Sequence, residues 1–107
     1  MTSKPLRFRR AARMDVNDGV AYLGDKAGFA AVADFVDDLR DAYRLIRNWP
    51  GSGSPRYGVQ LAIPGLRHQR LRRHPYLIFY VERSDTVEVW RVLHGSRDIP
   101  DAVRPVD

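Results

Sequence analysis

The longest hydrophobic stretch of the chain is residues 76–81, where Tyr, Leu, Ile, Phe, Tyr and Val follow one another without a polar residue. Successive side chains of a strand point to opposite faces, so a run that is apolar at every position predicts a central strand covered on both sides. A polar segment, residues 82–85, separates it from a second hydrophobic run, residues 86–93. The pattern predicts a β-hairpin whose second strand ends at Gly95.

The N-terminal half predicts one short strand and two helices. Residues 6–9 alternate apolar and basic side chains, which is typical of a strand with one face in the core. Between residue 11 or 12 and residue 23, apolar residues recur every three or four positions, and Gly24 and Gly28 follow as exit signals. The strongest helical period spans residues 29–48, with the stripe Phe29, Val32, Val36, Leu39, Tyr43 and Ile46, widened by Phe35, Ala42 and Trp49.

The predicted link of about five residues between the helices favours an antiparallel helical hairpin on one face of the sheet. A Pro- and Gly-rich segment stops the second helix, and Trp49 is expected to pack at that end. Residues 56–64 predict a loop, and residues 66–73 predict a strand near an edge of the sheet, apolar only at Leu66 and Leu71. Residues 98–107 contain two prolines and little periodicity, which predicts a tail that is disordered in the isolated chain.

These elements give the order β-α-α-β-β-β, a helical hairpin packed on a largely antiparallel four-stranded sheet. The fold class is therefore α+β, in a single domain over residues 1–107. The chain has no cysteine, and its three histidines lack the spacing of a metal site, so we expect neither a disulfide nor a metal or other cofactor. No apolar run approaches the roughly 20 residues of a membrane span, and no export signal is recognisable, so the expected location is the cytoplasm.

Charge is distributed unevenly along the sequence. The net charge is +5, with basic residues at both ends and most of the aspartates in the middle. Nearly all the basic residues are arginines, whose planar fork binds phosphate and carboxylate through two hydrogen bonds. The composition indicates a polyanionic or acidic partner, or a solvated basic face with no partner.

The hairpin carries a family resemblance. Residues 76–80, Tyr-Leu-Ile-Phe-Tyr, and residues 91–98, Arg-Val-Leu-His-Gly-Ser-Arg-Asp, resemble the RelE/ParE toxins of bacterial type II toxin–antitoxin systems. The resemblance extends over nearly the whole chain and implies the same fold. Members of this family either cleave mRNA on the ribosome or poison DNA gyrase, and these two segments are more similar to ParE and its plasmid-stabilisation relatives.

The nuclease alternative needs a base, an acid and cations around the scissile phosphate. Its candidates are His94, with His74 as a second choice, and the arginines Arg70, Arg72, Arg91 and Arg97. Two features speak against it, because residues 49–73 contain no acidic residue and no tyrosine follows Arg97. For His94, a structural role in which it caps the last strand is favoured over catalysis. Arg97 would then pair with Asp98, Asp101 or a carboxylate of the antitoxin.

The ParE-like alternative needs no bond chemistry, and it is the one that the resemblance favours. It implies that Arg70, Arg72, Arg91, His94 and Arg97 contact DNA gyrase. It also implies a hetero-oligomeric complex with an acidic, partly disordered antitoxin that carries a DNA-binding N-terminal domain. We expect the antitoxin to bind at the seam between helices and sheet, through Arg7, Arg9, Arg10, Val36 and Tyr43. A third possibility is a non-toxic module that only binds its antitoxin.

Overall fold

The structure is a computed structural model that describes residues 3–104. Its elements follow the predicted order, with two short helices added: β1 (Leu6–Phe8), α1 (Arg10–Ala27), α2 (Phe29–Asn48), a 3-10 turn (Pro50–Ser52), α3 (Arg56–Gln60), β2 (Leu66–Arg70), β3 (Tyr76–Glu82), β4 (Val87–His94) and α4 (Ile99–Val103).

The four strands form one sheet in the order β1-β4-β3-β2. β3 pairs with β2 and β4 in antiparallel fashion, which confirms the predicted hairpin, and β1 lies parallel to β4. The α+β class and the edge position of β2 are also confirmed. The β3–β4 register shifts between Phe79 and Tyr80, so Trp90 is an extra residue between the partners Val89 and Arg91.

The helical hairpin covers one face of the sheet, here called the hairpin face. Phe35, Leu39 and Ile46 of α2 pack there against Ile78 and Tyr80 of β3, all with almost no exposed surface. Burying a side chain of this size stabilises the fold by about 1.5–3 kcal/mol. The predicted stripe is wrong at its first position, since Phe29 is 87% exposed at the start of α2. It is also wrong about Trp49, which is 52% exposed instead of packed.

The link between α1 and α2 is a single residue, Gly28, so the predicted five-residue link is wrong. α1 continues through Gly24 to Ala27 because a glycine inside a helix costs only about 1 kcal/mol relative to alanine. Gly28 has φ +86°, in the left-handed region that side chains disfavour, and this conformation reverses the chain.

The second face of the sheet is covered by α3 and α4. Its core contains Leu66, Phe79, Val81 and Leu93, with Ile99 and Val103 of α4 fully buried against them. The predicted loop at residues 56–64 is therefore wrong over α3, and the predicted disordered tail is wrong over residues 99–103. The remaining tail residues 105–107 lie outside the described residues. With both faces covered, the uninterrupted apolar run of β3 is explained.

A buried carboxylate joins the β2–β3 turn to α2. Asp38 is 1% exposed and accepts hydrogen bonds from the backbone N–H groups of Arg72 (3.2 Å) and Arg73 (2.9 Å). Its other contact is the Nδ1 atom of His74, at 2.8 Å. Burial raises the pKa of Asp38, but the hydrogen bonds from His74 and the two backbone groups outweigh burial and hold the pKa below its ordinary value.

Within residues 3–104, none of the helices combines the length and the hydropathy required to cross a bilayer. The same part of the chain contains no group of three His, Asp or Glu side chains placed to hold a metal ion.

Candidate functional site

The residues predicted for a nuclease centre are divided between the two faces of the sheet. Arg70 lies opposite Leu77, and Leu77 lies opposite Leu93, so Arg70 shares the second face with these leucines. His94 lies opposite Tyr76, one position further along each strand, and therefore belongs to the hairpin face. The structure thus places the imidazole and the Arg70 guanidinium on opposite sides of the sheet.

Arg72 is also separate from His94. It lies after the end of β2, where its backbone N–H donates to Asp38 and its side chain is exposed. His74, the second candidate for acid or base, is held between Asp38 and Asp34 on α2. Of the predicted set, only His94 and Arg97 come together.

His94 and Arg97 line a polar cavity of about 200 Å³ between α1, the start of β3 and the end of β4, here called the His94 cavity. Its other lining residues are Asp15, Asp18, Gly19, Tyr22, Tyr76 and Val92. Burial raises the pKa of Tyr76, and Tyr22 adds to the effect, so the phenol stays protonated as a hydrogen-bond donor. Within residues 3–104 Arg97 makes no ion pair, and its guanidinium can therefore meet a ligand.

The hydrogen bonds of His94 limit what it can do chemically. Its Nδ1 atom accepts from the Ser96 backbone N–H at 3.1 Å, and the Ser96 hydroxyl lies 2.8 Å away. The ring meets Tyr76 edge to face, with 5.2 Å between centroids. With Nδ1 acting as acceptor, Nε2 carries the proton of the neutral imidazole. In this arrangement Nε2 is the nitrogen that can donate a hydrogen bond to a ligand, whereas Nδ1 is already occupied by Ser96.

Arg91, a predicted contact to the target, is engaged within the protein. Its Nε and Nη2 atoms donate to the two carboxylate oxygens of Asp15 at 2.7 and 2.8 Å, and Nη1 donates to the Ala102 carbonyl at 2.6 Å. All three nitrogens have partners, so Arg91 connects β4 to α1 and α4 and is not presented to solvent as a clamp.

The five residues predicted to bind the antitoxin do not share one surface. Arg7 and Arg9 alternate with core-facing residues of β1, so they lie on the second face, where Arg9 stacks on Trp90 at 3.9 Å and pairs with Glu88 at 3.2 Å. Arg10 begins α1 and is exposed. Tyr43, in contrast, is on the hairpin side.

Tyr43 belongs to a groove of about 530 Å³ between β1 and α2, here called the α2 groove. Leu6, Phe8 and Tyr43 form its apolar floor, and Phe8 and Tyr43 meet edge to face at 5.2 Å. Burial raises the pKa of Tyr43 to about 12, so its hydroxyl stays neutral. Val36, predicted for the same surface, does not line the groove.

One rim of the α2 groove consists of three exposed arginines, Arg40, Arg44 and Arg47. Their spacing of four and three residues places them in one row on α2. Arg44 also approaches Asp41 at 3.7 Å, a surface pair that contributes little. This row was not among the binding residues predicted from the sequence, although the helical spacing of the three arginines indicates that they share one side of α2.

His68 is a half-buried titratable group under α3. Its ring lies between those of Tyr57 and Phe79, at centroid distances of 5.3 and 5.5 Å. Within the described residues its Nδ1 atom is buried without a hydrogen-bond partner. Burial lowers the pKa of His68, and the nearby charge of Arg56 lowers it further. The folded protein therefore disfavours the charged form of this histidine.

Acidification is expected to destabilise the fold through His68. Because the pKa of His68 is lower in the folded protein than in the unfolded chain, the unfolded chain binds the proton first. The contribution of neutral His68 is therefore complete above about pH 6.5 and decreases as the pH falls below that value. Urea unfolding at pH 7.5 and pH 5 measures the loss, which His68→Phe should reduce. An equal loss in the variant would contradict the assignment.

Comparisons with known proteins agree with this architecture. Residues 6–99 match the family model described as ParE toxin of type II toxin-antitoxin system, parDE. Toxin ParE1 of Caulobacter vibrioides is 29% identical over 93 residues, which cover 87% of this chain and 91% of that protein. A solved structure, described as the chromosomal ParDE TA system from P. aeruginosa, superposes with a TM-score of 0.72 at 17% identity, covering 86% of this chain and 96% of the other. At that identity the superposition shows the fold alone.

Proposed function

Because this chain belongs to the ParE toxin family of type II toxin–antitoxin systems, we propose that it inhibits DNA gyrase by binding and that its cognate antitoxin neutralises it through the α2 groove. The family resemblance implies gyrase as the target. The proposed contact on the toxin is the His94 cavity, where Arg97 and Tyr76 offer hydrogen-bond donors.

The separation of Arg70 from His94 supports binding over RNA cleavage. A nuclease must place its base and its cations around a single phosphate, within hydrogen-bond reach of the reacting atoms. Here the two groups lie on opposite faces of the sheet, and the Nδ1 atom of His94 already accepts a hydrogen bond from the Ser96 N–H. A surface that recognises a protein needs neither arrangement.

His94→Phe separates the two functions. The substitution keeps a ring against Tyr76 but removes every proton that His94 could transfer. We expect the purified toxin, freed of antitoxin, to inhibit supercoiling by gyrase. The inhibitory concentration of the variant should lie within about tenfold of that of the wild type, which corresponds to a loss of at most about 1.4 kcal/mol in binding free energy. Messages in a translation extract should remain intact. The nuclease alternative would be established if the wild type leaves supercoiling unaffected and truncates messages, and if His94→Phe abolishes this truncation. No effect of the wild type in either assay would favour the non-toxic module.

The α2 groove has the chemistry of a site for an acidic amphipathic segment. Its floor is apolar and its rim carries three positive charges, which match the apolar and acidic faces of such a helix. β1 is also an edge strand, and among the strands at residues 3–104 it pairs with β4 alone, so its outer edge can pair with an extended segment of the same partner. A partly disordered antitoxin can use both features as it folds on the toxin.

Charge reversal tests the groove. The triple variant Arg40→Glu, Arg44→Glu, Arg47→Glu is expected to weaken binding of the cognate antitoxin by about 100-fold, equivalent to about 2.7 kcal/mol, in isothermal titration. A matched variant reverses Arg56, Arg70 and Arg72, three exposed arginines outside the groove, and so changes the net charge equally. We expect it to retain the wild-type affinity within about threefold. Equal weakening in both variants would show that net charge, and not the groove, determines affinity.

A further inference from the structure

A second basic site lies beside α4, away from the α2 groove. It is a cavity of about 260 Å³ between the start of α1, the middle of β4 and the end of α4. Four of its lining residues are arginines, Arg9, Arg10, Arg91 and Arg104, and Trp90 forms part of its wall. We call it the four-arginine cavity. No acidic side chain is among its lining residues in the described part of the chain.

Two of these arginines are fixed by other groups. Arg91 is held by Asp15 and by the Ala102 carbonyl, and Arg9 is stacked on Trp90 and paired with Glu88. The indole of Trp90 is itself locked, because its Nε1–H donates to Glu88 at 2.7 Å. These contacts form a rigid wall whose positive charges are largely compensated.

The other two arginines have no such partners. Within residues 3–104, the side chains of Arg10 and Arg104 make neither an ion pair nor a hydrogen bond, and both line the cavity as exposed residues. Over these residues the cavity therefore has a local excess of about two positive charges, since Asp15 faces Arg91, and Glu88 faces Arg9 while also pairing with Arg83. Like charges around one concave space repel each other, and an anion that enters relieves this repulsion.

We propose that the four-arginine cavity binds a phosphate group in its dianionic, monoester form. Such a group carries about −1.5 to −2 charges at neutral pH and three acceptor oxygens, which match the charge excess and the planar donors of arginine. A phosphodiester has a single negative charge and fits less well. The volume lies just below the range of about 300–1,000 Å³ typical of sites for whole small molecules. The cavity therefore has room for the phosphate and the first part of the ligand that carries it, either a mononucleotide or the phosphorylated end of a nucleic acid.

Trp90 provides a direct signal of binding. The chain has two tryptophans, so Trp49→Phe leaves Trp90 as the only one, and Trp49 is exposed at the end of α2. This protein is titrated at constant ionic strength with sodium phosphate, with AMP, and with a short DNA oligonucleotide with and without a 5′-phosphate. We expect a saturable change in Trp90 fluorescence with phosphate and with both monoesters, and binding at least tenfold weaker for the unphosphorylated oligonucleotide. Tighter binding of AMP would identify a mononucleotide as the source, and tighter binding of the phosphorylated oligonucleotide would identify a nucleic-acid end.

A pair of variants with equal net charge completes the test. Arg10→Ser with Arg104→Ser removes the two unpaired guanidiniums and should weaken phosphate binding at least tenfold. Arg56→Ser with Arg70→Ser removes two exposed arginines elsewhere and should leave binding unchanged. The rise in melting temperature caused by phosphate gives a second readout without tryptophan. The proposal is overturned if sodium chloride at equal ionic strength gives the same response, or if the Arg10 and Arg104 variant binds phosphate as tightly as the wild type.

Discussion

Asp38→Ala is expected to lower the free energy of unfolding by about 3–5 kcal/mol, which is at the upper end of what single substitutions cost. The carboxylate is nearly inaccessible and serves three donors at once, the backbone N–H groups of Arg72 and Arg73 and the imidazole of His74. Alanine leaves these donors without their acceptor while the β2–β3 turn still covers them. Each unsatisfied buried group costs about 1–3 kcal/mol, so the turn should separate from α2 before the rest of the sheet unfolds.

Thermal and urea unfolding measure this effect. For a domain of this size, a loss of 1 kcal/mol lowers the melting temperature by about 4–8 °C, so Asp38→Ala should melt at least about 12 °C below the wild type. Asp37→Ala is the matched control, because Asp37 is the exposed neighbour on the same helix and should change stability by no more than about 0.5 kcal/mol. If both variants have the same stability, the three hydrogen bonds to Asp38 do not stabilise the β2–β3 turn.

The pKa of Asp38 adds a pH dependence with a definite sign. Its folded pKa lies below that of the unfolded chain, so the contribution of the ionised carboxylate is complete above the unfolded value of about 3.9. It decreases as the pH falls through the folded pKa. His68 acts at higher pH, below about 6.5, so the two groups destabilise the protein in successive steps of an acid titration.

The role of Asp38 was not accessible from the sequence because it depends on a contact between distant segments. The sequence places Asp38 among the aspartates of α2, and its local pattern does not distinguish it from them. Its hydrogen bonds go to residues 34 to 36 positions away, in a turn whose path the sequence does not specify. In contrast, the apolar run of β3 predicted its own burial, because that pattern is local and requires two covered faces.

α3 was missed for a different reason. A five-residue helix is too short to show a hydrophobic period, and Gly58 at its centre reads as a turn residue. The structure explains the glycine by packing, since a Cβ at position 58 would lie within 2.4 Å of the Leu66 carbonyl oxygen. Gly58 therefore lets α3 approach β2 closely, and a side chain there would move the helix away from the second face.

For the candidate site, residue type predicted the chemistry but not which residues share a surface. His94 and Arg97 follow one another closely at the end of β4, so the sequence could bring them together. Arg70 and His94 are far apart in sequence, and whether they meet depends on strand register, in which a shift of one residue moves a side chain to the other face. The register of β2, β3 and β4 puts them on opposite faces.

Arg91, which the family resemblance implies as a contact to the target, forms a largely buried ion pair with Asp15. Asp15→Ala should lower the free energy of unfolding by about 3 kcal/mol, because it leaves a largely buried guanidinium without its counter-ion. It also removes the acceptor of the Val92 N–H, which donates to Asp15 at 2.9 Å just after the register shift in β4. In a double-mutant cycle, Asp15→Ala and Arg91→Ala should couple by at least about 1 kcal/mol.

An apolar replacement of the whole pair separates a structural from a functional role for Arg91. Buried ion pairs exchanged for apolar side chains of similar volume are often neutral in stability, so Asp15→Leu with Arg91→Met should recover the part of the loss that comes from the unpaired charge. The loss of the Val92 hydrogen bond to Asp15 remains in this double variant. Because Asp15 itself lines the His94 cavity, the reference for gyrase inhibition is Asp15→Leu alone, measured where it is folded. If Arg91 only holds β4 to α1 and α4, the double variant should inhibit gyrase as well as Asp15→Leu does. A stable double variant that fails to inhibit gyrase while Asp15→Leu still inhibits it would instead assign Arg91 a contact with the target, one that its bonds to Asp15 and Ala102 conceal in the free toxin.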